Sequence, residues 1–482
     1  MDTISLKALV DKTNNRVVFV ESNEDFVDVL FSFLTMPIGA IVRLTCNQQP
    51  TTRIGCMNNL YKSVENLEMI HLRTEACKTM LLHPQNGAED QCKMLRLKID
   101  ESKPLMCFVC RTGCKLLSHY ETAICNCGER MDCMSLEMNE STRTDLDTRD
   151  RGVFVKGPNR LIVSDELQVM PSSTAASFSL FSKLGIIDTS SIEEKTFSMG
   201  VDKALNLLKC LLVSKQPLTE AFLEQNPVSM PSKEDFEQVR FTKSKLETET
   251  NDCGKIYVKL MVSQSKNRVC CAEASVDFID LLFSFLPIPL GFIVKEMQGD
   301  TSKGNIYNLY DSIQDLDAKQ YLKSKENMEM LVSPKLAPGF GYEKQPLNIK
   351  EYMQQPYYLY IGAYNHRRLT SDKTRLSFAD VRSSVALTVM DPKSHSKDST
   401  SGRGYVTGPA IFTITDDLIV TPMSPITGPA ALSKLKVPFS DIEERTVHVG
   451  EKEALRLLLV SYYNSESALT RTFLLKEPNQ AM

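Results

Sequence analysis

Residues 4–43 and 256–295 can be laid on one another without a gap, and 19 of the 40 positions are identical. Lys7, Val10, Asn15, Arg16, Val17 and Glu21 match Lys259, Val262, Asn267, Arg268, Val269 and Glu273, and Leu30-Phe31-Ser32-Phe33-Leu34 recurs as Leu282-Phe283-Ser284-Phe285-Leu286. Asn59-Leu60-Tyr61 returns as Asn308-Leu309-Tyr310, Gly157-Pro158 as Gly408-Pro409, and Ile192-Glu193-Glu194 as Ile442-Glu443-Glu444. Near each end, Thr219…Phe222-Leu223 answers Thr470…Phe473-Leu474. An offset of 252 residues (256 − 4) is too long for a solenoid repeat. The pattern predicts a duplication of a whole domain: residues 1–223, then a polar linker over 224–254 containing Pro227 and Pro231, then residues 255–482.

Both copies read in the same order. Leu6–Val10 and Val17–Val20 flank a polar stretch and predict a β-hairpin. Ser22 or Asn23 can cap a helix whose Phe26, Val29/Leu30 and Phe33/Leu34 form an apolar stripe, ended by Pro37. In the second copy Ser275 serves as cap, with Phe278, Leu282 and Phe285 as the stripe and Pro289 as the break. Phe154-Val155 and Leu161–Val163 surround the Gly157-Pro158 turn, and a late amphipathic helix carries Ala204, Leu205, Leu207, Leu208 and Leu211. Strand pairs and helices alternate without a βαβ rhythm, so the expected class is α+β, two homologous domains in tandem.

The balance of 42% hydrophobic and 24% charged residues gives ample apolar area for a core. A formal charge of −4 supplies no general basic field for nucleic acid or an anionic membrane. The first residues, Met1-Asp2-Thr3, open on no basic region followed by an apolar one, so no secretory leader is expected. The apolar stretches Val29–Val42 and Leu281–Val294 contain prolines and are too short to span a bilayer. A soluble protein of the cytoplasm or nucleus, with no membrane partner, is the expectation. In such a reducing compartment, clustered cysteines favour metal binding or buried thiols over disulfides.

Several blocks resemble, in order and over nearly the whole chain, the plant family filed as domain of unknown function 674. They are Asn58-Asn59-Leu60-Tyr61-Lys62-Ser63-Val64, Cys125-Asn126-Cys127-Gly128, the two Gly-Pro…Asp-(Asp/Glu)-Leu blocks, and the Glu-Glu…Gly…Ala-Leu tail of each copy. The resemblance implies a plant protein with two repeats, and it implies no activity.

Ten of the fourteen cysteines lie between Cys46 and Cys133. The dense part runs Cys107-Phe108-Val109-Cys110-Arg111-Thr112-Gly113-Cys114 and then Cys125-Asn126-Cys127-Gly128. Two close pairs of thiolates from two turns suit tetrahedral Zn²⁺, and Gly113 and Gly128 suit the positive φ of such turns. The resembling family pairs an aromatic-x-Cys-x(4–5)-Cys with Cys-x-Cys-Gly, whereas Cys110 and Cys114 enclose three residues. The expected ligands of a structural zinc are Cys110, Cys114, Cys125 and Cys127, in a zinc-ribbon-like insertion over 104–139. Cys107 competes for a place in the first pair, and His119 is a substitute ligand. In the second copy the aligned positions are Tyr360, Tyr364, Ser377 and Ala379, so all four ligands are absent together.

Other polar groups read as structure. Asp165-Glu166 and Asp416-Asp417 suit turns, Glu193-Glu194 and Glu443-Glu444 a solvated edge before a strand. His366-Arg367-Arg368 with Lys373 and Arg375 forms a modest basic loop. No P-loop, Gly-x-Gly-x-x-Gly, His-Glu-x-x-His or Gly-x-Ser-x-Gly occurs. The sequence therefore points to a non-enzymatic interaction or scaffold protein with unknown protein partners. The alternatives are a zinc-ribbon nucleic-acid binder and an enzyme of unrecognised class.

Overall fold

A computed structural model describes residues 3–46, 53–100, 106–131, 152–157, 159–223, 256–297 and 304–474, apart from 362–366, 372, 377–379, 382–383, 395–402, 409, 425 and 464–465. The expected linker, 224–254, lies outside the described residues, as do Cys133, Tyr364, His366, Ser377 and Ala379. The first half opens with β1 (Ile4–Asp11), β2 (Arg16–Ser22), α1 (Glu24–Thr35), α2 (Ile38–Cys46), α3 (Met57–Asn66), α4 (Glu75–Leu82) and α5 (Glu89–Cys92). It continues with β3 (Phe108–Val109), β4 (Leu116–Ser118), β5 (Leu161–Ser164), β6 (Val169–Pro171), α6 (Thr174–Lys183), β7 (Ile192–Met199), α7 (Val201–Val213) and α8 (Pro217–Leu223).

The second half opens with β8 (Ile256–Ser263), β9 (Arg268–Ser275), α9 (Val276–Phe283), α10 (Leu290–Glu296), α11 (Asn305–Asp315), α12 (Ala318–Tyr321) and α13 (Lys325–Val332). Then come β10 (Tyr357–Ile361), β11 (Arg367–Thr370), β12 (Val385–Val389), β13 (Ile411–Thr415) and β14 (Val420–Pro422). The chain finishes with α14 (Thr427–Leu435), β15 (Ile442–Val449), α15 (Glu451–Tyr463) and α16 (Ala468–Phe473). Helices and mainly antiparallel sheets are thus mixed in an α+β architecture, and no helix among the described residues is long and apolar enough to cross a membrane.

The predicted hairpins form. Asn15 and Asn267 turn them at φ 46° and 44°, a left-handed conformation that asparagine tolerates better than most residues. Each hairpin carries one irregularity of register, at Leu9/Val10 and at Met261/Val262. The first sheet has the order β6-β5-β2-β1-β7, and the sheet of the second half has the order β14-β13-β9-β8-β15. Strand for strand these are the same arrangement.

Helix α1 departs from expectation. Every residue except Asp25 is buried, polar Asp28, Ser32 and Thr35 included, so burial runs all round the helix and not along the apolar stripe alone. One side faces the sheet of its own half, and α10, α11 and α13 of the other half cover the rest. Asn23 and Ser275 stand at the N-cap positions, yet neither side chain makes the capping hydrogen bond. Pro37 ends α1 as predicted.

The halves contact one another reciprocally. Ile38 N–H donates to Ile288 O at 2.9 Å, and Leu290 N–H donates to Met36 O at 2.9 Å. Val155 bridges Leu322 of the other half, and Leu72 bridges Val406 in return. Ser63 Oγ accepts from Val420 N–H, and Ser312 Oγ accepts from Val169 N–H, both at 2.9 Å. The main hydrophobic core is accordingly one cluster drawn from both halves. The boundary near 223–256 separates two sheets and leaves the core undivided.

A third sheet, β11-β10-β12-β4-β3, mixes the halves outright. Strands β3 and β4 come from the cysteine-rich loop, and β12 of the second half pairs in parallel with β4. The loop is therefore built into a shared sheet, where the sequence suggested an insertion confined to the first half.

Candidate metal centre

The loop reaches its shape through two tight turns. After β3, Gly113 N–H donates to Cys110 O at 3.3 Å with Gly113 at φ 78°. Further on, Gly128 N–H donates to Cys125 O at 2.8 Å with Gly128 at φ 92°. A Cβ at either glycine would meet nothing within 4 Å, so the backbone conformation alone calls for glycine. Cys125 N–H to Glu129 O and Met131 N–H to Ala123 O, at 2.8 and 2.9 Å, close the second turn into a small hairpin.

These turns bring Cys110, Cys114, Cys125 and Cys127 together, with all four sulfurs within 4.8 Å of one another. Cys110 Sγ and Cys127 Sγ are 3.4 Å apart. Zn–S bonds of ~2.3 Å in a tetrahedron set sulfurs about 3.8 Å apart. The observed spread is wider than that, and a contraction of about 1 Å would complete the tetrahedron. Thr112 sits at the centre of one face, its Oγ1 3.0 Å from Cys110 Sγ, 3.4 Å from Cys114 Sγ and 3.2 Å from Cys127 Sγ.

The ring runs from interior to surface. Cys110 and Cys125 are buried, Cys114 is half-buried and Cys127 is exposed. Burial pushes the Cys125 thiol up, while the Thr112 hydroxyl, helped by the Glu129 N–H, holds Cys127 down to about 6. A metal ion would replace those hydrogen bonds with a stronger reason to ionise. Four thiol donors in this grouping fit a borderline-soft, tetrahedral ion such as Zn²⁺.

Cys107 does not join the ring. It is buried with Val109, Leu117, Tyr357, Leu369 and Leu387, in a cluster separate from that of Cys110 and Cys125. Its Sγ lies 3.6 Å from Nδ1 of His119, whose ring meets Tyr357 edge-on at 5.6 Å. Burial pulls His119 down to about 4. Neither residue belongs to the metal-spaced group.

The paired acids have other work. Asp165 lies in the β5–β6 turn, but it is buried there. It accepts from Arg16 Nε at 3.0 Å, from Thr219 N–H at 2.9 Å and from Thr219 Oγ1 at 2.8 Å. Asp416 repeats this with Arg268 and Thr470. Glu193-Glu194 and Glu443-Glu444 lie inside the edge strands β7 and β15, where Glu194 pairs with Lys7 and Glu444 with Lys259. Arg367-Arg368 forms part of β11, and the Lys373 ammonium stands 5.4 Å above the Tyr358 ring.

Two acids escaped the sequence reading. Asp28 accepts the N–H groups of Val153, Phe154 and Val155 at 2.6–2.9 Å, and Asp280 accepts those of Tyr405 and Val406 at 2.6 and 2.8 Å. The available signal was an acid at the same place in both apolar helices, Asp28 matching Asp280.

A family model described as protein of unknown function (DUF674) matches residues 1–452, and the chain belongs to that family. No curated protein and no solved structure matches it.

Proposed function

We propose that this DUF674 member is a non-enzymatic interaction or scaffold protein whose cysteine ring holds a structural zinc ion. The observation that carries the reading is the grouping of four thiols within 4.8 Å at the meeting of two glycine turns. Four protein thiolates would leave a tetrahedral ion no open position for substrate, which suits a structural ion better than a catalytic one. The surrounding cluster of Cys110, Ala123, Cys125, Met131 and Met390 is small. Zinc binding, worth ~10–16 kcal/mol of apparent free energy in peptides, is the scale of interaction that orders such a loop. The buried carboxylates support the same reading, since Asp28, Asp165, Asp280 and Asp416 all hold backbone or threonine groups in place.

Elemental analysis of the purified chain tests the metal, with roughly one zinc per chain expected. A pull-down compares the wild type with the Cys125→Ser/Cys127→Ser variant, and loss of a protein partner together with the zinc is the expected result. Metal-free protein with freely alkylatable thiols and an unchanged fold would defeat the zinc reading. Retention on polynucleotide with a steep salt dependence would replace the scaffold reading with nucleic-acid binding.

A further inference from the structure

The cysteine ring lies against the second half of the chain. Thr388 stands opposite Leu116 and Val389 opposite Leu117 in the parallel pairing of β12 with β4. Thr388 N–H donates to Lys115 O and Met390 N–H to Leu117 O, each at 2.9 Å. One residue past β12, Met390 enters the apolar cluster that contains Cys110 and Cys125. On the other face of the sheet, Val109 and Leu117 pack with Tyr357 and Leu387 of the second half. Two of the four ring cysteines therefore share a buried cluster with the residue that follows β12.

The edge that β4 offers to β12 depends on the two cysteine turns. Strand β4 lies between Cys114 and Cys125 and is three residues long. A short strand carried on a loop with a five-residue buried cluster gains little from burial alone. An ion bound by both turns fixes β4 at both ends and so presents a formed edge to β12. Linkage makes the effect reciprocal: a docked β12 favours metal binding as much as metal favours docking.

We infer that the metal is a clamp between the two halves, its binding ordering the cysteine loop of the first half and thereby securing strand β12 of the second. This rests on the zinc reading above. Metal loss would then loosen a part of the second half that contains none of the ligands. The basis is the parallel β4–β12 ladder, whose first-half strand lies between the two cysteine turns.

Hydrogen exchange on the full chain tests it, after zinc content has been measured. Removing zinc with a chelator, or by Cys125→Ser/Cys127→Ser, should accelerate exchange in residues 107–131 and also in 385–389, by about tenfold or more in each. Peptides from β1 and β8 should be unchanged. Thr388→Pro supplies the reverse arm, because it deletes the N–H given to Lys115 and leaves every thiol in place. It should weaken zinc binding about five- to a hundredfold. Zinc uptake that slows 107–131 while 385–389 stays unchanged overturns the clamp alone, as does a Thr388→Pro chain that binds zinc as tightly as the wild type. A chain that takes up no zinc overturns the metal reading, and the clamp with it.

Discussion

Asp28 and Asp280 are carboxyl groups buried in the largely apolar helices α1 and α9. Burial raises both to about 7, against the opposing pull of the backbone N–H groups they accept. In the unfolded chain an Asp titrates near ~3.9. Between about pH 4 and 7 the folded state thus holds protons that the unfolded state has released, and stability falls as pH rises through that window before levelling off. The slope is at most about 1.4 kcal/mol per pH unit for each carboxyl. Replacing Asp28 by Asn removes its titration, so the stability of wild type minus Asp28→Asn, from urea unfolding, should decline from pH 4 to 7. Parallel curves would show that the group does not titrate there. The ring cysteines make a second distinction at this scale. Cys114→Ser should lower zinc content, whereas Cys107→Ala should leave it intact because Cys107 packs in the neighbouring cluster. Equal zinc loss in both variants would put Cys107 among the ligands.

Short terminal helices usually fray, and α8 and α16 are tied down by one side-chain device used in each half. Thr219 Oγ1 donates to Asp165 Oδ2 at 2.8 Å and accepts from Val17 N–H at 2.9 Å, so one hydroxyl joins α8, the β5–β6 turn and the hairpin. Thr470 does the same for α16 with Asp416 and Val269. Valine keeps the shape but neither hydrogen bond, leaving a buried N–H unpaired. Thr219→Val should cost roughly 2–4 kcal/mol in urea unfolding. A loss below about 0.5 kcal/mol would mean that α8 is held by packing alone. The sequence already aligned Thr219 with Thr470, and it placed both acids in turns. It did not reveal that Thr and Asp meet, because 54 residues separate them in each half.

At the scale of the whole molecule, the halves meet at a reciprocal seam. Pro37 and Pro289 bridge one another, and Gly39 N–H donates to Leu286 O at 2.7 Å. Gly291, which aligns with Gly39, lies so close that an added Cβ would come within 2.9 Å of Leu34 O and 3.2 Å of Leu331 O. Those are backbone atoms of both halves, which cannot swing away as a side chain could. Gly291→Ala should therefore destabilise the whole chain, by about 1–3 kcal/mol as an overpacking change. Because the core is shared, the loss should appear in one unfolding transition that both sheets report. Separate transitions for the two sheets would mean that the seam is not cooperative.

Local signals in the sequence were enough to recover the hairpins, the Pro37 break and the α+β class, because each depends on residues within a few positions of one another. The grouping of Cys110, Cys114, Cys125 and Cys127 was legible for the same reason: two short spacings and two glycines encode two turns. The tertiary structure alone decided what lies between those elements. An apolar helix face such as that of α1 records only that it must be covered, and the side turned away from its own sheet is covered by helices of the other half, far along the chain. Cys107 and Cys110 look interchangeable by spacing, yet they fall into separate clusters with separate partners. Strand β12 carries no cysteine and has no visible tie to the ring, but it supplies the ladder on which the cysteine loop rests. Pairings of this kind are set by which distant surfaces bury the most apolar area together, and no short stretch of sequence contains that comparison.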